Sequence, residues 1–189
     1  MALPLRSVSR AAGIESILLD RGRGEYTLEL RGRLPPSWSG QLFLGLSRLG
    51  MSISRGFAKR SMDGWVAEID FVIGSGSADP ATVDYRAPAT ARSARGAAVP
   101  ITLRSYSLRG PTSDGAVHLR VDGTDQLGFL GSLLQHLAFL SLFPVQVTID
   151  TRGDRVSDAF LLKSTGGRAP SEKACAALRR LLDGLIEPR

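Results

Sequence analysis

Strand-like and helix-like patterns recur in this chain at a constant offset of 91 residues, and that offset restricts the fold more than any other feature. Tyr26, Leu28 and Leu30 alternate with polar residues, as do Val117, Leu119 and Val121 in the second position. Period-2 alternation marks a strand buried on one face. At the same offset Gly32, Trp38, Gly40, Leu46 and Leu49 meet Gly123, Phe129, Gly131, Leu137 and Leu140. Trp38, Leu42, Leu46 and Leu49 form an apolar stripe at helical spacing, and Leu130, Leu133, Leu134, Leu137 and Ala138 form another. An offset kept through both a strand and a helix identifies an internal repeat.

The second copy is the clearer one. After its first helix, Val145, Val147 and Ile149 alternate with Gln146, Thr148 and Asp150. The tetrapeptide Thr151-Arg152-Gly153-Asp154 turns the chain, a second strand runs from Arg155 to about Leu162, and a final helix carries Ala174, Ala177, Leu178, Leu181, Leu182, Leu185 and Ile186 on one side. In the first copy Met51 and Ile53 open a strand, Asp63-Gly64 is a hairpin turn, and Trp65, Ala67, Ile69 and Phe71 alternate after it. The order β-α-β-β-α is most of a ferredoxin-like unit. The expected fold class is therefore α+β: two ferredoxin-like βαββαβ repeats, docked side by side, with helices on one face of antiparallel sheets.

Boundaries follow from composition. Residues 1–24 read as a loosely ordered arm with a short apolar run from Ile14 to Leu19, in which Arg21-Gly22-Arg23-Gly24 is a turn rather than a phosphate loop. Residues 25–110 form the first, divergent repeat and 115–189 the second. Within the first, 74–99 is rich in Gly, Ala, Ser and Pro and has a linker's composition. A short helix from Asp79 to Arg86, stopped by Pro88, is expected there. Ile101, Leu103, Ser105 and Ser107 alternate with Thr102, Arg104, Tyr106 and Leu108, giving a strand assigned to the first repeat as its closing strand. The second repeat then ends without one, leaving an edge for a partner chain.

Asp125-Gln126-Leu127-Gly128-Phe129-Leu130 resembles the D-x-P-G-L-L turn between the first strand and first helix of ACT domains, with Leu127 in place of the proline. Ile149 to Phe160 resembles the second hairpin of the ACT repeats at the C-terminus of bacterial uridylyltransferase/uridylyl-removing enzymes, where the pattern reads roughly I-x-T-x-G-x-R-x-x-D-x-F. ACT domains usually bind amino acids, generally between two domains. The resemblance therefore implies a regulatory, amino-acid-binding module with Asp125, Gln126, Leu127, Gly128, Phe129 and Leu130 as ligand-binding residues, a homodimer, and a regulated protein partner. The first copy has Leu34-Pro35-Pro36-Ser37 at this loop and lacks both the acid and the glycine.

The loop admits two roles at this stage. Asp125 and Gly128 can be turn chemistry alone, ending a strand and starting a helix. Alternatively a free amino acid docks there, its carboxylate on backbone amides at a helix N-terminus and its ammonium on Asp125 or a carbonyl of the facing repeat.

Other chemistry is sparse. His118 lies on the polar side of a strand and His136 on the flank of a helix, with no acid or cysteine at ligand spacing, so no metal site is expected. No Ser-His-Asp arrangement with a nucleophile elbow is present. Asp150, Asp154 and Asp158 cluster on a hairpin, and nothing in the sequence points to the burial and convergence that acid–base work needs. No catalytic residue, enzyme activity or cofactor is expected.

Charge and composition exclude further classes. The net charge is +6 with a pI near 10.2, yet the arginines are scattered, which fits a solvated basic surface. Arg55-Gly56-Phe57-Ala58 matches the start of an RNA-recognition pattern, but Lys59, Arg60 and Met62 break it, it falls on the second strand of its repeat rather than a central one, and aromatic residues make up only 6% of the chain. A nucleic-acid partner is disfavoured, and a ligand-free interaction scaffold is the better alternative to a sensor. No apolar run approaches the roughly 18 residues of a membrane span. Cys175 is the only cysteine, and residues 1–6 lack the apolar core of an export signal, so a cytoplasmic location is expected.

Overall fold

A computed structural model describes residues 6–11, 13–91 and 99–187. Among them are nine strands: β1 (Arg6–Ala11), β2 (Ile14–Gly22), β3 (Glu25–Gly32), β4 (Met51–Ser61), β5 (Gly64–Ile73), β6 (Leu103–Arg109), β7 (Val117–Thr124), β8 (Leu142–Arg152) and β9 (Arg155–Ser164). The α-helices are α1 (Trp38–Arg48), α2 (Arg86–Thr90), α3 (Phe129–Phe139) and α4 (Glu172–Asp183). All nine strands form one sheet in the order β1-β2-β3-β5-β4-β8-β9-β7-β6, and every neighbouring pair is antiparallel. The fold is α+β, with two ferredoxin-like repeats joined side by side through β4 and β8.

The repeats are related by a pseudo-twofold. The segments β4 and β8, β5 and β9, and α1 and α3 start and stop 91 residues apart. The irregularity between Ile53 and Arg55 in β4 recurs between Pro144 and Gln146 in β8. In the ladder joining the halves, Arg55 faces Asp150, Phe57 faces Thr148 and Lys59 faces Gln146.

Alternation places the core. In β3 and β5 the inward-facing buried side chains are Leu28, Leu30, Trp65, Ala67, Ile69 and Phe71, with Thr27 buried at the alternate parity of β3; in β7 and β9 they are Val117, Leu119, Val121, Val156, Asp158, Phe160 and Leu162. Leu42, Leu46, Leu133 and Leu137 cover this face from α1 and α3. Each such side chain removed from water contributes about 1.5–3 kcal/mol. The two helices cross closely at equivalent glycines. A Cβ on Gly131 would stand 2.7 Å from the Leu44 backbone nitrogen, and one on Gly40 would stand 3.2 Å from the Leu134 Cβ.

Four sequence expectations need correction. The arm expected over 1–24 is, from Arg6 to Gly22, two strands that extend the sheet. Ile17 and Leu18 are both buried although they point to opposite faces, and a strand covered on both sides reads as a run without alternation. The strand expected to close the first repeat is β6, which pairs with β7 of the second repeat. A short hairpin connection at Gly110 to Ala116 is more local than a crossover to the other half. The second repeat's sheet therefore continues beyond β7 into β6, whose outer side is the sheet edge. Finally, the helix expected from Asp79 to Arg86 is a 3₁₀ turn at Pro80–Thr82, capped by Asp79, followed by α2, which contains Pro88. A proline in the first turn removes an N–H that has no intrahelical partner. Part of the expected 74–99 linker lies outside the described residues.

Candidate functional site

The loop from Asp125 to Gly128 is held at both ends. The Asp125 N–H donates to the Asp154 carbonyl at 2.8 Å, tying it to the β8–β9 turn, and the Phe129 N–H donates to the Gln126 carbonyl at 2.9 Å. The Gln126 side-chain amide donates to the Pro100 carbonyl. Gly128 enters α3 with φ of +92°, a left-handed conformation that disfavours a side chain. It also lies close to its surroundings, since an added Cβ would come 3.3 Å from Val99 and 3.4 Å from the Ser47 hydroxyl. α3 has no side-chain N-cap, so the first-turn amides that follow Phe129 lack a capping partner.

Asp125, Gln126, Leu127, Gly128, Phe129 and Leu130 all line one small recess with a cavity volume of about 30 Å³. The opposite wall belongs to the first repeat: Phe43 and Ser47 of α1, with Met51, Ser52 and Ile53 of β4. Thr151, Val156 and Asp158 of the β8–β9 hairpin form the floor. The recess is thus an inter-repeat feature that exists because β4 and β8 pair.

Asp158 is the unusual member. It occupies an inward register between Val156 and Phe160, and only 1% of it is exposed. Its Oδ1 accepts the Asp150 N–H at 3.2 Å, while its Oδ2 is buried without a hydrogen-bond partner. Burial first, then the negative charges of Asp125, Asp150 and Asp122, push its carboxyl up to about 7 despite that hydrogen bond. Asp125, partly buried at the same recess, is also shifted upward by burial, against the lowering effect of a backbone hydrogen bond from Gln126. Among the described residues no lysine, arginine or histidine lines the recess. It is a negatively charged hollow with the positive end of a helix at its rim.

The equivalent place in the first repeat is closed. Ala67 stands where Asp158 does, Trp65 where Val156 does, and Leu34 where Asp125 does. Trp65 and Trp38 are fully or almost fully buried there, with ring centroids 5.3 Å apart in an edge-to-face arrangement. Trp38 also meets Phe43 at 6.2 Å.

The six residues singled out in the sequence come together, whereas Asp158 and the first-repeat wall were missed there. Asp158 had a signal, because it shares the inward parity of Val156, Phe160 and Leu162. Of the three hairpin acids only Asp158 is buried, and it lines the recess together with Asp125 of the preceding loop. Among the described residues no group of three metal-ligating side chains exists, and His118 and His136 lie on separate elements. The Arg55-to-Ala58 segment also needs correction. In the joined sheet β4 is a central strand, and Phe57 is 47% exposed on it. Its sheet neighbours are Glu68 and Thr148, and Arg55 stands between Asp70 and Asp150, so the segment offers neither a run of aromatics nor a free cationic stripe. No helix of the described residues is long and apolar enough to cross a membrane.

No protein-family model matches this sequence, and no curated protein matches it either. Among solved structures the chain is similar to the crystal structure of aspartate kinase from Synechocystis, with a TM-score of 0.49 and 14% identity, over 89% of this chain and 28% of that one. This chain therefore corresponds to well under a third of that protein's length.

Proposed function

We propose that the chain is a non-catalytic regulatory module that binds a small ligand of the amino-acid class in the inter-repeat recess and signals its occupancy to a partner protein. The observation that carries this reading is Asp158, a core carboxyl with an unpartnered oxygen in the recess floor. A buried polar atom without a partner costs about 1–3 kcal/mol, and the first repeat has Ala67, with no carboxyl, at the position of Asp158. A ligand ammonium at Asp158 and Asp125 offsets that cost, and a ligand carboxylate suits the uncapped first turn of α3. The likeness of the loop to that of ACT domains agrees with this assignment. Gly131, one turn into α3, lies against Leu44 of α1, so a displacement of the loop on binding passes directly to the other repeat.

A ligand-free assembly scaffold is the second reading, favoured by Phe139, which is 77% exposed at the end of α3. A thermal-shift screen against the common amino acids separates the two. A ligand that binds only the folded state raises stability by about 2.7 kcal/mol at a hundredfold excess over its dissociation constant. The sensor predicts a selective shift that Gly128→Val abolishes. No shift with any amino acid at millimolar concentration rejects it in favour of the scaffold.

A further inference from the structure

The geometry points to a ligand that carries a protonated amine and no second carboxylate, bound once per chain. This inference rests on the recess being a ligand site and narrows what that site accepts.

Among the described residues the only ionisable side chains in the recess wall are Asp125 and Asp158. Its neutral polar groups are partly committed already: the Ser47 hydroxyl donates to the Leu44 carbonyl and the Gln126 amide to the Pro100 carbonyl. Of the described cations, Arg152 pairs with Asp150 at 3.0 Å and Arg104 with Asp154 at 3.6 Å. One carboxylate finds a place at the start of α3, but a second one meets two acids and, among the described residues, no counter-charge. An ammonium, by contrast, finds an acceptor in the orphaned Asp158 oxygen. The acids are not there for folding, because the same strand and loop positions in the first repeat hold Ala67 and Leu34 within an equivalent fold. That mate of the recess is filled by Trp38 and Trp65, so among the described residues this arrangement occurs once. Two carboxylates alone are a poor cage for a divalent cation, which takes six or more oxygens. The raised carboxyl of Asp158 adds a signature. An ammonium that binds beside it displaces the proton, so affinity rises between pH 6 and pH 8, with Asp125, Asp150 and Asp122 facing the same group.

The test is calorimetric titration of the full chain with each common amino acid, its amide and its N-acetyl derivative, and with calcium and magnesium chloride. Amides should still bind, more weakly than the free acids because they lose the carboxylate at the start of α3. N-acetyl forms, aspartate and glutamate should be weaker by at least about tenfold, with one site per chain. Asp158→Asn should lose the binding, and Asp158→Ala, which copies Ala67, is the second variant if the first does not fold. Binding of N-acetyl or acidic compounds that Gly128→Val abolishes overturns the amine requirement while leaving a ligand recess. A metal ion bound more tightly than any amine, or two sites per chain, also overturns it. Absence of binding by every compound rejects this inference and the sensor together.

Discussion

Phe57 and Thr148 stand directly opposite each other where β4 meets β8, and each holds the same place in its own repeat. The pseudo-twofold axis therefore passes through that pair. On either side of it Arg55 faces Asp150 and Lys59 faces Gln146, positions that also correspond under the 91-residue offset. One relationship thus explains the continuous sheet, the crossing of α1 on α3, and the recess where the second repeat's loop meets the first repeat's helix. Symmetry of backbone coexists with asymmetry of side chains, and function is expected where the two copies differ.

The helix crossing gives a first prediction. At Gly131 an added methyl meets the Leu44 backbone nitrogen, which cannot move aside, so Gly131→Ala should cost on the order of 2 kcal/mol. Gly40→Ala meets only the Leu134 Cβ, at 3.2 Å, and gains helix propensity, so it should lie within about 1 kcal/mol of wild type. Urea unfolding of both variants checks the contrast.

The Asp158 carboxyl gives a second. Its folded pKa, about 7, lies above the ordinary carboxylate value of 3.8. The folded state therefore holds the proton more tightly than the unfolded one. Its stabilising contribution is complete below pH 4 and is lost as pH rises to about 7, after which it stays flat. Asp158→Asn should flatten that decline and raise the thermal midpoint at pH 8 by a few degrees, for a gain on the order of 1 kcal/mol. Thermal melts from pH 4 to pH 8 on both proteins measure it.

The aromatic plug gives a third. Trp65→Val places the second repeat's residue at the equivalent position of the first. It should cost on the order of 3 kcal/mol, because Trp38 loses its edge-to-face neighbour and a cavity opens. Denaturant midpoints read the loss. Near-ultraviolet dichroism should lose intensity at the same time.

Much of this fold was legible because the sequence states it twice. The glycines and apolar stripes of α1 and α3 confirm each other, and so do the strands they connect. What was not legible depended on pairing partners. Periodicity marks β6 as a strand but cannot say that its hydrogen bonds go to β7 rather than back to the first repeat. Ile17 and Leu18 sit on opposite buried faces and hide β2 inside a featureless apolar run. At the recess, the loop residues carried a local pattern, whereas Phe43, Ser47 and Met51 reach it only through docking of the repeats. Asp158 was readable in principle. An acid at an inward position between Val156 and Phe160 breaks the binary pattern of its strand, and such violations gather at functional sites.

The most direct test of the recess as a ligand site is a pair of ¹H–¹⁵N correlation spectra of the full chain, with and without a millimolar mixture of the common amino acids. The account predicts shifted amides at Asp125 to Gly131, at Ser47, at Met51 to Ile53 and at Asp158, with the Leu34 and Ser37 amides of the first repeat's loop unmoved. Unchanged amides at Asp125 to Gly131, or equal shifts at both loops, would contradict it.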